Sequence, residues 1–199
     1  MAEISAELVK ELRERTGAGI MDCKRALTET GGDIEKAVAL LREHGQVTAS
    51  KKAARDARDG IVSSYIHTGG RLGVLIEVNC ETDFVARTDQ FQKLVRDLAM
   101  QVAGLAPAYV DIDSIPPTDL AAKKAELLAD ESVQAKPENI REQIVEGQLR
   151  KWYSQVCLYE QPFRDEERTV RELVTESIAT IGENIRVRRF ARYALGEDL

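Results

Sequence analysis

Residues Gly60 to Cys80 read GIVSSYIHTGGRLGVLIEVNC, and within them the spacing of apolar residues changes from a helical period to a period of two. Ile61 to His67 predicts a strand and Thr68-Gly69-Gly70 a turn. Leu72, Val74, Ile76, Val78 and Cys80 then alternate along a longer strand whose other face carries Glu77, Asn79 and Glu81. This is an antiparallel hairpin with one buried face. Much later in the chain, Ile185 to Leu195 (IRVRRFARYAL) alternates well enough to close the sheet as a third strand.

Upstream of the hairpin, residues 1–45 predict three short helices. Ser5 caps the first, Ile4 and Val9 staple it, and Leu8 and Leu12 continue its apolar stripe before Thr16-Gly17-Ala18-Gly19 ends it. The second runs from about Ile20 to Thr28 with Ile20, Cys23 and Leu27 on one side. Asp33 caps a third, which carries Ile34, Ala37, Val38 and Leu41 inward and stops at Gly45. Residues 46–59 are basic and alanine-rich without an apolar stripe, and predict an exposed helical linker.

Downstream, the stretch ETDFVARTD (Glu81 to Asp89) leads into a helix capped by Thr88, with a stripe of Phe91, Leu94, Val95, Leu98 and Val102. After a proline-rich loop at 107–117, Asp119 to Ala129 and Glu138 to Leu158 predict a helical hairpin over about 118–158, its arms separated by DESVQAKP. Thr169 and Glu172 form a capping box for a last helix that ends at Gly182. The fold class is therefore α+β: an N-terminal three-helix bundle, a basic helical linker, and over 60–199 a small three-stranded antiparallel sheet packed with helices.

Composition narrows the function. The chain has 199 residues, 43% of them apolar, enough for a real core; a formal charge of −6 makes a non-specific grip on nucleic acid an unpromising principal role. Cys23, Cys80 and Cys157 are odd in number and far apart, with only His44 and His67 to join them. Neither a disulfide framework nor a zinc site follows, and no cofactor is implied. No apolar run is long enough for a membrane span, so a reduced, cytoplasmic protein is expected. No nucleophile motif or phosphate-binding GxxxxGKS/T loop is present, and Gly17-Ala18-Gly19 lacks the preceding strand of a dinucleotide site.

Three stretches invite a functional reading beside a structural one. Met21 points away from the line of Ile20, Cys23 and Leu27. Arg13, Ile20 and Met21 are thus either a contact patch or partly the core of a tiny bundle, and spacing does not decide. Arg186, Arg188, Arg189 and Arg192 interleave with Phe190 and Tyr193 as in some nucleic-acid binders, but arginines on a strand's solvent face also discourage edge aggregation. Asp83 and Phe84 stand where a strand gives way to a helix. Because Phe84 lies seven residues before Phe91, spacing favours a packing role; the alternative is a wedge for another protein's pocket.

Leu12 to Leu27 (LRERTGAGIMDCKRAL) and Glu77 to Arg87 (EVNCETDFVAR) resemble the two signature segments of the translation elongation factor Ts family. The likeness continues through KPENIREQIVEGQLRKW, EQPF and IGENIRVRRF. It implies the short form, with one copy of the core sheet unit, and an N-terminal unit resembling a ubiquitin-associated domain. It also implies a guanine-nucleotide exchange factor for elongation factor Tu that performs no covalent catalysis. Arg13, Ile20 and Met21, with Ile181 and Gly182, would contact Tu, while Thr82, Asp83, Phe84 and Val85 would dislodge its magnesium ion. A homodimer giving a two-to-two complex is expected, with no direct nucleic-acid or membrane partner.

Overall fold

The structure, a computed structural model, describes residues 4–164 and 168–197. It is α+β, with a three-stranded antiparallel sheet and helices packed on it. The first three helices are α1 (Ala6–Thr16), α2 (Ile20–Glu29) and α3 (Ile34–Lys52). Their starts follow the expected chemistry: Ser5 Oγ accepts from the Leu8 N–H at 3.2 Å and Asp33 Oδ1 from the Lys36 N–H at 3.0 Å, each satisfying an otherwise orphaned donor. Leu12, Cys23, Ala26, Leu27 and Ala37 form their shared core, with Ile4, Val9 and Val38 packed against it. Ile20 does not join that core. It is the first residue of α2 and stays 57% exposed, so the inward stripe of this helix is Cys23, Ala26 and Leu27.

Gly45 does not end the third helix. α3 continues through it to Lys52, and Gly45 is buried where Ala179 approaches. The glycine thus marks a close approach of two helices, not a stop signal. Residues 46–59 are mostly exposed, as expected, and 46–52 are helical, but as the last turns of α3 and not as a helix of their own; after it Ala57 is buried and its carbonyl accepts from Arg186 at 3.3 Å.

The sheet consists of β1 (Asp59–Ile66), β2 (Leu72–Cys80) and a closing strand β3 (Arg186–Ala194), in the order β1-β2-β3. The turn closes as expected, with the His67 N–H donating to the Leu72 carbonyl at 2.8 Å and the Gly70 N–H to the His67 carbonyl at 2.9 Å. Val74, Ile76, Val78 and Cys80 are almost wholly removed from water. Asn79, expected on the outer face, is also buried, because its amide donates to the Asp59 carbonyl at 3.1 Å.

Between β2 and β3 run a one-turn helix α4 (Asp83–Ala86), the long α5 (Asp89–Leu105), α6 (Pro117–Ala129), α7 (Glu131–Gln134), α8 (Glu138–Val156) and α9 (Val170–Ile181), which begins directly after Thr169. The stretch expected only to separate two helices contains α7. Its Val133 is buried with Val145 and Leu149, so an apolar side chain turned a connector into a short helix. By contacts the chain divides into two compact units. One comprises the N-terminal helices as far as Ile61, Val78–Leu94 and Glu172–Arg186; the other comprises Val62–Glu77, Val95–Arg171 and the chain from Val187 on.

Burial pushes the thiols of Cys80 and Cys157 up to about 11, with Glu183 adding to the effect at Cys80 and Glu160 at Cys157. All three cysteines are free and buried.

Two glycines should respond oppositely to alanine. Gly60 has φ +136°, and a Cβ there would stand 2.1 Å from the Val78 carbonyl oxygen, so Gly60→Ala should lower stability by about 2 kcal/mol or more. A Cβ on Gly45 would meet Ala179 at an ordinary 3.6 Å, so Gly45→Ala should raise stability by about 0.5–1 kcal/mol through helix propensity. Urea unfolding midpoints moving in opposite directions are the expected result.

Candidate functional site

The corner after β2 is assembled from short-range chemistry. The strand ends at Cys80, whose buried Sγ–H donates to the Thr82 carbonyl at 3.2 Å. Thr82 has an extended backbone and caps α4, its Oγ1 accepting from the Val85 N–H at 3.4 Å. Ala86 turns inward and is buried, Val85 is half-buried, and Phe84 is 81% exposed. Asp83 is also exposed, and its Oδ2 accepts from Arg87 at 2.8 Å.

The packing role that spacing favoured for Phe84 is therefore not what the chain adopts. Phe91 is fully buried, but the helix that carries it does not extend back to Phe84. Thr88 interrupts: its Oγ1 accepts from the Phe91 N–H at 3.3 Å, starting α5 anew, and its own N–H donates to the Val85 carbonyl at 3.0 Å. With the helical register broken, a separation of seven residues no longer places two side chains on one face.

The corner is fastened to the turn that follows α9. Gly182 has φ +91°, in the left-handed region open to glycine, and its N–H donates to the Ile178 carbonyl at 3.0 Å. Ile181 is half-buried and Gly182 exposed. The chain then delivers Glu183, whose Oε2 accepts from the N–H groups of Glu81 and Thr82, both at 3.0 Å, and whose Oε1 accepts from the Thr82 hydroxyl at 2.6 Å. In return, Glu81 Oε1 accepts from the Asn184 N–H at 2.7 Å, while the Asn184 amide donates to the Arg55 carbonyl at 2.8 Å. The structure thus brings Ile181-Gly182 and Thr82-Val85 to one place. Glu183 and Asn184 were not singled out from the sequence; 102 residues separate Glu81 from Glu183, and no periodicity links residues that far apart.

Arg13, Ile20 and Met21 lie on other elements. Arg13 and Ile20 line one groove of about 630 Å³ between α1 and α2, with Val9, Gly17 and Lys24. Met21 is 70% exposed beside it. Ile20 and Met21 are therefore not core of the bundle.

The arginines of β3 are largely engaged within the chain. Arg188 and Arg189 bind the half-buried Glu77 at 3.2 and 2.7 Å, Arg186 donates to the Ala57 carbonyl, and Arg192 pairs with Glu197 at 2.9 Å. This matches the structural reading of that strand better than a free cationic stripe. Among the described residues no cluster of His, Cys, Asp or Glu suited to a metal ion occurs.

The family model for elongation factor TS matches residues 3–177. An elongation factor Ts of Cyanothece sp. is 53% identical to the whole of the chain, which covers 76% of that relative. Those of Anaeromyxobacter sp. and Desulforamulus reducens are 56% and 54% identical, again over the full chain and over 91% and 92% of the relatives.

A side chain as exposed as Phe84 contributes little to its own fold. Phe84→Ala should shift the unfolding free energy by no more than about 0.5 kcal/mol, as read from urea or thermal melts; a loss of several kcal/mol would return Phe84 to the core.

Proposed function

The chain belongs to the elongation factor Ts family, and on that premise we propose that it serves translation elongation as a guanine-nucleotide exchange factor for elongation factor Tu. The observation that carries this reading is Phe84, held 81% exposed on a capped and cross-linked corner. Entry of that ring into a pocket on the partner gains roughly 1.5–3 kcal/mol, available to offset a distortion there.

Exchange is a coupling between two ligands of one protein: whatever the factor does to GDP affinity, GDP does in reverse to the factor's affinity. Magnesium holds its waters in near-octahedral geometry, so displacing the partner's groups around it weakens the metal and leaves the β-phosphate charge poorly compensated. Each ~1.4 kcal/mol of such coupling changes nucleotide affinity about tenfold. Phe84 is the wedge, and Thr82, Asp83 and Val85 shape the same contact. The Asp83–Arg87 pair is solvent-exposed, and such pairs hold by no more than about 1 kcal/mol, so Asp83 is released readily to new polar partners. Arg13, Ile20 and Met21 dock the N-terminal unit, expected over 1–45, and Ile181-Gly182 adds to the corner's contact. No bond is made or broken by the factor itself.

The same reading places the chain in the cytoplasm; among the described residues no helix is long and apolar enough to cross a membrane. It also pairs two copies. Ile66, Leu75, Tyr193 and Leu195 leave an apolar outer face on the sheet, and covering it with a second copy yields a two-to-two complex with Tu.

Release of a fluorescent GDP from purified Tu should accelerate on adding this chain, and Phe84→Ala should reduce the maximal acceleration about tenfold or more. No acceleration by the unmodified chain sinks the exchange reading. For the pairing, light scattering at micromolar concentration should give the dimer mass, and a stable monomer would remove the two-to-two complex.

A further inference from the structure

A single turn of helix does not persist by its own hydrogen bonds, so the geometry of α4 is set by what holds its ends. At its start the decisive group is the Thr82 hydroxyl, which donates to Glu183 Oε1 at 2.6 Å and accepts from the Val85 N–H at 3.4 Å. A hydroxyl has one hydrogen. Committing it to Glu183 leaves its lone pairs to the Val85 N–H, so the carboxylate orients the cap. The same carboxylate takes the N–H groups of Glu81 and Thr82, fixing the backbone at the point where β2 hands over to α4. Glu183 is itself held in place, since its neighbour Asn184 donates backbone N–H to Glu81 and side-chain amide to the Ala53 and Arg55 carbonyls. Three stretches remote in sequence, 53–55, 81–82 and 183–184, are thus stitched into one network immediately behind an exposed phenylalanine.

We propose that Glu183 is the positioning residue for Phe84: by accepting three hydrogen bonds at the Glu81–Thr82 corner it pre-organises α4, so that the ring meets the partner already aimed. This rests on the exchange reading for its functional consequence, but its structural part stands apart from it. Ordering the corner in the free protein removes an ordering cost at the encounter, and the energy of inserting the ring then goes into distorting the partner. Glu183 acts through Thr82 and α4.

The test compares full-length Glu183→Ala and Glu183→Gln in GDP release from Tu over a range of factor concentrations. Glu183→Ala should cut the maximal acceleration about tenfold, the scale of losing charge-assisted hydrogen bonds, while the half-saturating concentration, governed largely by the docking patch, changes less than about threefold. Glu183→Gln keeps a carbonyl acceptor for the two N–H groups but sets an NH2 donor against the Thr82 hydroxyl, and should recover only part of the loss. In a Phe84→Ala background Glu183→Ala should have little further effect, because its action passes through that ring. Amide hydrogen exchange supplies a readout without the partner: the N–H groups of Glu81 and Thr82 should exchange at least about tenfold faster in Glu183→Ala, with α1 and α2 unchanged. Full acceleration by Glu183→Ala, effects that multiply with those of Phe84→Ala, or unaltered protection of the two amides overturns the proposal. Should the unmodified chain fail to accelerate release, the exchange reading falls, and the amide protection alone decides whether Glu183 positions the corner.

Discussion

Strand β2 carries the constraint on which the other elements depend. Its inner row, Val74, Ile76, Val78 and Cys80, has to leave water, and a slip of one residue in register would turn that row outward and bring Leu75 and Glu77 in. Register is therefore fixed by burial, and so is the place where the strand ends. Because Cys80 is the last of the buried row and bonds the Thr82 carbonyl, the corner that follows inherits the rigidity of the sheet. The closing strand depends on the same element: Glu77, on the opposite side of β2, receives both Arg188 and Arg189.

Much of this was legible in the sequence wherever a local rule operates. Ser5, Asp33 and Thr88 announce helix starts because a side chain and its backbone partner lie three residues apart. The alternation from Leu72 to Cys80 announces a strand because a half-buried sheet has no other way to sort its side chains. What was not legible depends on distant neighbours. Gly45 has the look of a helix stop until Ala179 is seen beside it. Val133 sits in a polar connector, and only Val145 and Leu149 explain its helix. Ile20 matches the apolar stripe by spacing, yet as the first residue of α2 it falls outside the core.

The Thr82–Val85 corner shows the same limit in sharper form. From spacing alone Phe84 belongs with Phe91, and the Thr88 cap that separates them serves a plain structural purpose as well. Family resemblance pointed to the corner as a contact, whereas its internal support came only from the fold: a carboxylate on the turn after α9 reaching back to the end of β2. The corner combines two properties that ordinarily oppose each other. Its backbone is heavily hydrogen-bonded, while its largest apolar side chain lies in water. Rigidity without burial is what a recognition element requires, since a floppy ring would lose on ordering much of what it gains on insertion.

The buried cysteines carry a consequence for redox chemistry. The nucleophile towards oxidants is the thiolate, and with Cys80 and Cys157 pushed up to about 11 only a minute fraction of either is ionised near neutral pH. Enclosure in the core removes access as well. Cys80 stands two residues from Thr82, where conversion to a sulfenic acid would disturb the bond to the Thr82 carbonyl. Burial and the raised thiol pKa thus act together against oxidation of Cys80 at the edge of that corner.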